Sequence, residues 1–282
     1  MTFTTLISVA DLAANIADPT WVVLDARFSL DDEGWGKVAY AQGHLPGAIQ
    51  ADLADDLAGP IIPGVTGRRP FPDPAVFAER LATWGIDAST QVVAYDAENG
   101  LMAAARVWFM LRWMGHDNVA VLDGGVKAWE AAGLALTTDV PTPTRADFVA
   151  HVRDDMLATV DEVDAIRRDQ DFCVFDSRSA EGYHGGGKYH DPVVGHIAGA
   201  GLADRADVSS PEGFFRPTSE LRAHYAALID DTPAENVIFY CGSGVTAAQN
   251  VLAMTHAGLP GSRMYVGSWS EWILDPSREI EL

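Results

Sequence analysis

Lysine is almost missing from this 282-residue chain: only Lys37, Lys127 and Lys188 occur, against 40 acidic residues. The formal net charge of −21 excludes a surface suited to nucleic acid or to an anionic membrane, since both are bound through clustered cations. Such acidity reads as a solubility or high-salt trait. Any anionic ligand must then be held by arginine, histidine or backbone amides. Cysteine is equally scarce. Cys173 and Cys241 give no disulfide framework, so a reducing cytoplasm is the expected compartment. No apolar run approaches the roughly 18–20 residues of a membrane span, and Met1 to Ile7 is too short and polar for a signal peptide. A hydrophobic content of 48% describes a globular chain, comfortable for two domains of about 140 residues.

What is present centres on Val237-Ile238-Phe239-Tyr240-Cys241-Gly242-Ser243-Gly244-Val245-Thr246. The apolar run reads as a short buried strand, and Thr246 to Ala257 reads as a helix. A cysteine at a strand-to-helix turn meets converging N–H groups and the positive end of the helix dipole, which favour thiolate over thiol. The expectation is a nucleophilic thiolate cradled by the amides of residues 242 to 246, with the Ser243 and Thr246 hydroxyls helping. Cys173, inside Phe172-Cys173-Val174-Phe175, reads instead as a small buried hydrophobe.

The chain repeats itself. Val22-Val23-Leu24-Asp25-Ala26-Arg27 recurs as Cys173-Val174-Phe175-Asp176-Ser177-Arg178, and Gly43-His44-Leu45-Pro46-Gly47-Ala48 as Gly195-His196-Ile197-Ala198-Gly199-Ala200. Val92-Val93-Ala94-Tyr95-Asp96 answers Val237 to Cys241. Leu122-Asp123-Gly124-Gly125 with Trp129 answers Tyr265-Val266-Gly267-Ser268 with Trp272. Four elements in the same order mean a tandem duplication. Each half alternates strands and helices, which implies an α/β fold with a parallel sheet flanked by helices. Helices are expected from Pro74 to Trp84 behind an Asp73 cap, from Ala103 to Met114, and from Thr218 to Leu228. Pro141-Thr142-Pro143-Thr144 marks the linker, so domains are expected at 1–138 and 150–282, joined by 139–149. His44 and His196 recur in both halves and read as turn or helix-start structure.

These residues resemble the two-domain rhodanese-type sulfurtransferases over essentially the whole chain. The loop Cys241-Gly242-Ser243-Gly244-Val245-Thr246 is similar to that of the 3-mercaptopyruvate branch, whereas the thiosulfate-preferring branch carries Arg and Lys after its cysteine. The resemblance implies two tandem rhodanese-like domains: a silent N-terminal one, with Asp96 where the nucleophile would be, and a catalytic C-terminal one. It implies transfer of a sulfane sulfur from 3-mercaptopyruvate, through a Cys241 persulfide, to cyanide or to a thiol such as thioredoxin or a low-molecular-weight thiol. No metal or organic cofactor is needed, and a monomer is expected. Thiosulfate is the alternative donor, and a non-catalytic binding or sulfur-carrier module is the alternative class. A cysteine phosphatase would need an arginine six residues past the cysteine, where Ala247 stands.

Candidate donor contacts are Arg178, Arg69, His184 and Lys188. Arg178 offers a bidentate guanidinium, although Arg27 occurs at the same place in the silent half. The family usually has an arginine where Gly182 stands, and His184 replaces a second, which makes anion binding weaker or pH-dependent. The serine–histidine–aspartate arrangement of the animal enzymes falls on Ala54 and Arg69 here, so Ser243 lacks a histidine base and Arg69 could supply positive charge. Gly185-Gly186-Gly187-Lys188-Tyr189-His190-Asp191-Pro192 fails the spacing of a phosphate loop and reads as a flap near the site.

Overall fold

The computed structural model describes residues 2–97, 102–186 and 190–282. The chain forms two compact units, one of Met1–Gly59 with Phe71–Arg153, the other of Pro60–Pro70 with Asp154–Leu282.

In the first unit, the strands β1 (Leu6–Ile7), β2 (Trp21–Asp25), β3 (Ile49–Gln50), β4 (Gln91–Tyr95) and β5 (Val119–Leu122) form one parallel sheet ordered β1-β5-β4-β2-β3. Its helices are α1 (Val9–Asn15), α2 (Trp35–Gln42), α3 (Pro74–Thr83), α4 (Ala103–Trp113) and α5 (Gly125–Ala131). Asp73 caps α3 as expected, its side chain accepting the Ala75 N–H. The second unit has β6 (Leu157–Ala158), β7 (Cys173–Asp176), β8 (His196–Ile197), β9 (Gly201–Leu202), β10 (Val237–Tyr240), β11 (Arg263–Tyr265) and β12 (Ile280–Glu281). Five of these make a parallel sheet ordered β6-β11-β10-β7-β9, the same order as in the first unit, while β8 and β12 pair antiparallel. Its helices are α6 (Val160–Ile166), α7 (Ala180–Tyr183), α8 (Thr218–Ile229), α9 (Ala247–His256) and α10 (Ser268–Trp272). Helix α8 begins at Thr218, but Pro217 occupies the cap position and Thr218 Oγ1 meets His256 Nε2 at 3.1 Å.

The duplication reaches into the cores. Val23, Leu45, Val93, Tyr95 and Trp129 are buried in one unit, and Val174, Ile197, Ile238, Tyr240 and Trp272 in the other. The central strands β4 and β10 are buried throughout, as a parallel strand covered on both faces must be.

The division of the chain differs from the expected one. Residues 139–149 are no free linker, because their backbone is hydrogen-bonded onto the first unit. Ala146 N–H donates to Ala82 O at 3.0 Å, and Asp139 O lies 3.2 Å from His44 Nε2. A Cβ on Gly85 would lie 2.9 Å from Thr144 O. The change of unit falls between Arg153 and Asp154, and Pro60–Pro70 packs with the second unit. No helix among the described residues is long and apolar enough to cross a membrane.

Candidate active site

Cys241 follows the central strand β10 directly and is 1% exposed. Burial pushes its thiol up. The Thr246 hydroxyl and the N–H groups of Ser243, Ala247 and Val245 pull it down, and the balance lies below the ordinary thiol value. Of the groups expected, the amides of Ser243 and Val245 and the Thr246 hydroxyl act on the sulfur, and the amide of Ala247, the first residue of α9, joins them. Gly244 makes it tight: φ is +73°, and a Cβ there would lie 2.2 Å from Val266 O.

The first unit builds a matching cradle. Asp96 follows β4 as Cys241 follows β10, and its Oδ2 accepts the N–H groups of Met102 and Ala104, each at 3.2 Å. Met102 matches Ala247, since 145 residues separate both pairs. A fixed carboxylate therefore sits where the other unit places the sulfur of Cys241. The turn after the neighbouring strand closes both sites: Val126 N–H donates to Asp96 O, and Trp269 N–H donates to Cys241 O, each at 3.0 Å.

Ser268 escaped the sequence reading, which used it only to align the repeats. Its Oγ accepts the Cys241 N–H at 3.1 Å and lies 3.9 Å from Cys241 Sγ. The signal was available, because Gly125 is its counterpart and a serine has replaced a glycine.

Arg178 makes the same contacts as Arg27. Its Nε lies 3.0 Å from both Asp176 oxygens, and its Nη2 donates to Asp176 Oδ2 and Gly195 O, each at 2.6 Å. Arg27 does this with Asp25 and Gly43 O. Arg178 thus ties its strand end to the Gly-His turn, and its charge also acts on Cys241. His44 and His196 are structural but lie outside turns and helix starts: His44 bridges Thr137, His196 begins β8, and their rings stack on Tyr40 and Tyr183 with centroids 3.9 and 3.7 Å apart. His184 is exposed at the end of α7, its ring edge-on to Tyr183. None of its contacts among the described residues reaches the Cys241 loop. Lys188 lies outside the described residues. Cys173 is half-buried, with its Sγ 3.3 Å from Thr232 Oγ1.

Arg69 is buried, and it is Arg68 that stands beside the loop. Arg68 Nη2 lies 3.5 Å from the place a Cβ on Gly242 would take.

The rhodanese-like domain model matches residues 8–132 and 159–275, one copy per unit. The chain belongs to the rhodanese-like family, as a tandem two-domain member. It is 42% identical over 276 residues to a Pseudomonas aeruginosa protein named "Probable 3-mercaptopyruvate sulfurtransferase", covering 98% of this chain and 97% of that one. It is 32% identical over 278 residues to the thiosulfate sulfurtransferase of Cricetulus griseus, covering 95% and 91%. The solved structure of 3-mercaptopyruvate sulfurtransferase from Leishmania major matches with a TM-score of 0.84 at 28% identity, over 95% of this chain and 74% of that chain.

Proposed function

We propose that this rhodanese-family chain is a sulfurtransferase that takes sulfur from 3-mercaptopyruvate. The observation that carries the reading is the buried Cys241, whose thiol is held below its ordinary value by amides and by the Thr246 hydroxyl. The thiolate attacks the donor sulfur, so a sulfur–sulfur bond forms as the carbon–sulfur bond breaks. The electron pair leaves on carbon as the pyruvate enolate, which takes up the proton of the donor thiol. The terminal sulfur of the persulfide is anionic and is solvated by the cradle. A thiolate then attacks that sulfur and carries it away as a persulfide, or cyanide carries it away as thiocyanate, and the Cys241 thiolate returns.

The uncharged side chains of Gly242, Ser243 and Gly244 favour a donor that brings a carboxylate over one that needs cations flanking the cysteine. Thiosulfate is the second reading, since relatives bearing that name align over nearly the whole chain. Thioredoxin or a low-molecular-weight thiol as acceptor, a monomeric state and a cytoplasmic location complete the proposal. The test is sulfur transfer to cyanide with each donor, using Cys241→Ser as control. Higher kcat/KM with 3-mercaptopyruvate, lost in the variant, is expected. Higher kcat/KM with thiosulfate overturns the donor. No transfer from either, with no sulfur gained on Cys241 by mass, overturns the enzyme reading in favour of a binding module.

A further inference from the structure

We propose that Arg68 is the residue that grips the carboxylate of the donor. This rests on the sulfurtransferase reading and adds to it the group that recognises an anionic substrate. The loop supplies no charge of its own, and Arg178 is committed to Asp176 and Gly195 O. A donor whose sulfur meets Cys241 is held best if its carboxylate meets a cation from another segment.

Arg68 is built into that position from two sides. Its backbone N–H donates to Ser270 Oγ at 3.0 Å. The preceding Gly67 approaches so closely that a Cβ on it would lie 2.5 Å from Gly267 O. Ser270 is in turn fixed to the cysteine loop, its N–H donating to Gly242 O at 3.0 Å. At the other end, Arg68 Nε and Nη2 donate to the two oxygens of Asp191 at 2.8 and 2.9 Å. The guanidinium is thereby aimed across Gly242. Among the described residues, Arg68 Nη2 is the sole atom within 4 Å that a Cβ on Gly242 would meet.

A guanidinium carries five N–H donors, and Asp191 engages the Nε–H and one Nη2–H, so donors remain on the loop side. The Arg68 side chain is 33% exposed, so a small donor can reach it from solvent. Because Asp191 balances its charge, Arg68 acts through directed hydrogen bonds more than through long-range attraction. A planar carboxylate fits that fork, and an ammonium cannot reproduce it.

The experiment compares alkylation of Cys241 by iodoacetate and by neutral iodoacetamide, which share the step of carbon–sulfur bond formation with loss of iodide. The ratio of the two rates reports a carboxylate held beside the sulfur, whether or not the protein transfers sulfur. Arg68→Met is expected to lower that ratio by about tenfold, the scale of one charge-assisted hydrogen bond. Arg68→Lys, which keeps the charge and loses the fork, is expected to lower it too, and it carries the test if the methionine variant fails to fold. In steady state the KM for 3-mercaptopyruvate should rise about tenfold in the variants, with kcat changed less. An unchanged ratio together with an unchanged KM overturns the role of Arg68 alone. Absence of sulfur transfer by the unmodified protein overturns the function instead.

Discussion

Ser268 holds the backbone of Cys241: its Oγ accepts the Cys241 N–H at 3.1 Å and donates to Tyr265 O at 2.9 Å. To do so it adopts φ +55°, a left-handed conformation that a serine reaches only at a cost of about 1–3 kcal/mol. Gly125 takes the same place in the first unit with φ +58° and no strain. The second unit thus carries a strained side chain that its duplicate lacks, and the hydroxyl is the return for the strain.

Two substitutions separate these effects. Ser268→Ala keeps the strain and leaves the buried Cys241 N–H without its acceptor, a loss of about 1–3 kcal/mol. Ser268→Gly loses the same acceptor and relaxes the backbone, so it should melt above the alanine variant. Both should lower kcat for sulfur transfer about tenfold through misplacement of the sulfur. Thermal unfolding with turnover of the two variants checks this; full activity in both would rule out the positioning role.

Much of the site was legible because its parts are local. Cys241 and its cradle occupy one strand–turn–helix, and the Asp-x-Arg pairing closes over two residues, so both show in the sequence. Repetition revealed the parallel sheet, since Asp25 and Asp176 recur with their neighbours. Ser268 and Arg68 were not legible as site residues. Ser268 reaches Cys241 through the hydrogen bonds of an adjacent turn, 27 positions along the chain. Arg68 is docked by Ser270 across 202 positions. A run of Pro and Thr suggested a tether at 139–149, and only tertiary hydrogen bonds turned it into part of the first unit.

The depressed thiol of Cys241 sets a pH window. A group whose folded value lies below its unfolded value stabilises the fold above the unfolded value, and that stability is lost as pH falls through the folded one. The thiolate, and with it persulfide formation, should therefore persist below the pH at which a free cysteine protonates. Alkylation of Cys241 by iodoacetamide, followed across pH by peptide mass, should show a midpoint below that of free cysteine. A midpoint at or above the free value would contradict the cradle.

Gly244 should tolerate no side chain. Gly244→Ala would hold alanine at φ +73° with its Cβ 2.2 Å from Val266 O, so the loop has to move. The backbone conformation alone costs roughly 1–2 kcal/mol. Displacing the Val245 and Ala247 amides from the sulfur should lower kcat/KM about a hundredfold, a typical penalty for a shift near 1 Å. By contrast, a Cβ on Gly242 would lie 3.5 Å from its nearest neighbour among the described residues, Arg68 Nη2, an ordinary contact, so Gly242→Ala should keep much more activity. Equal losses in the two variants would mean that the loop does not depend on this close approach.

Arg27 and Arg178 offer the same substitution with and without a thiolate nearby. Each closes a buried pair, with side-chain exposures of 7% and 1% for Arg27 and Asp25, and 16% and 0% for Arg178 and Asp176. Removing either guanidinium strands a buried carboxylate, so Arg27→Met and Arg178→Met should each cost about 3–5 kcal/mol in unfolding free energy. Their effects on the sulfur should differ. Arg178 attracts the Cys241 thiolate, and losing that positive charge raises the Cys241 pKa. The alkylation midpoint should move up in Arg178→Met and stay in place in Arg27→Met. A shift of equal size in both would show that general loosening of the fold, and not the charge of Arg178, controls the reactivity of the thiolate.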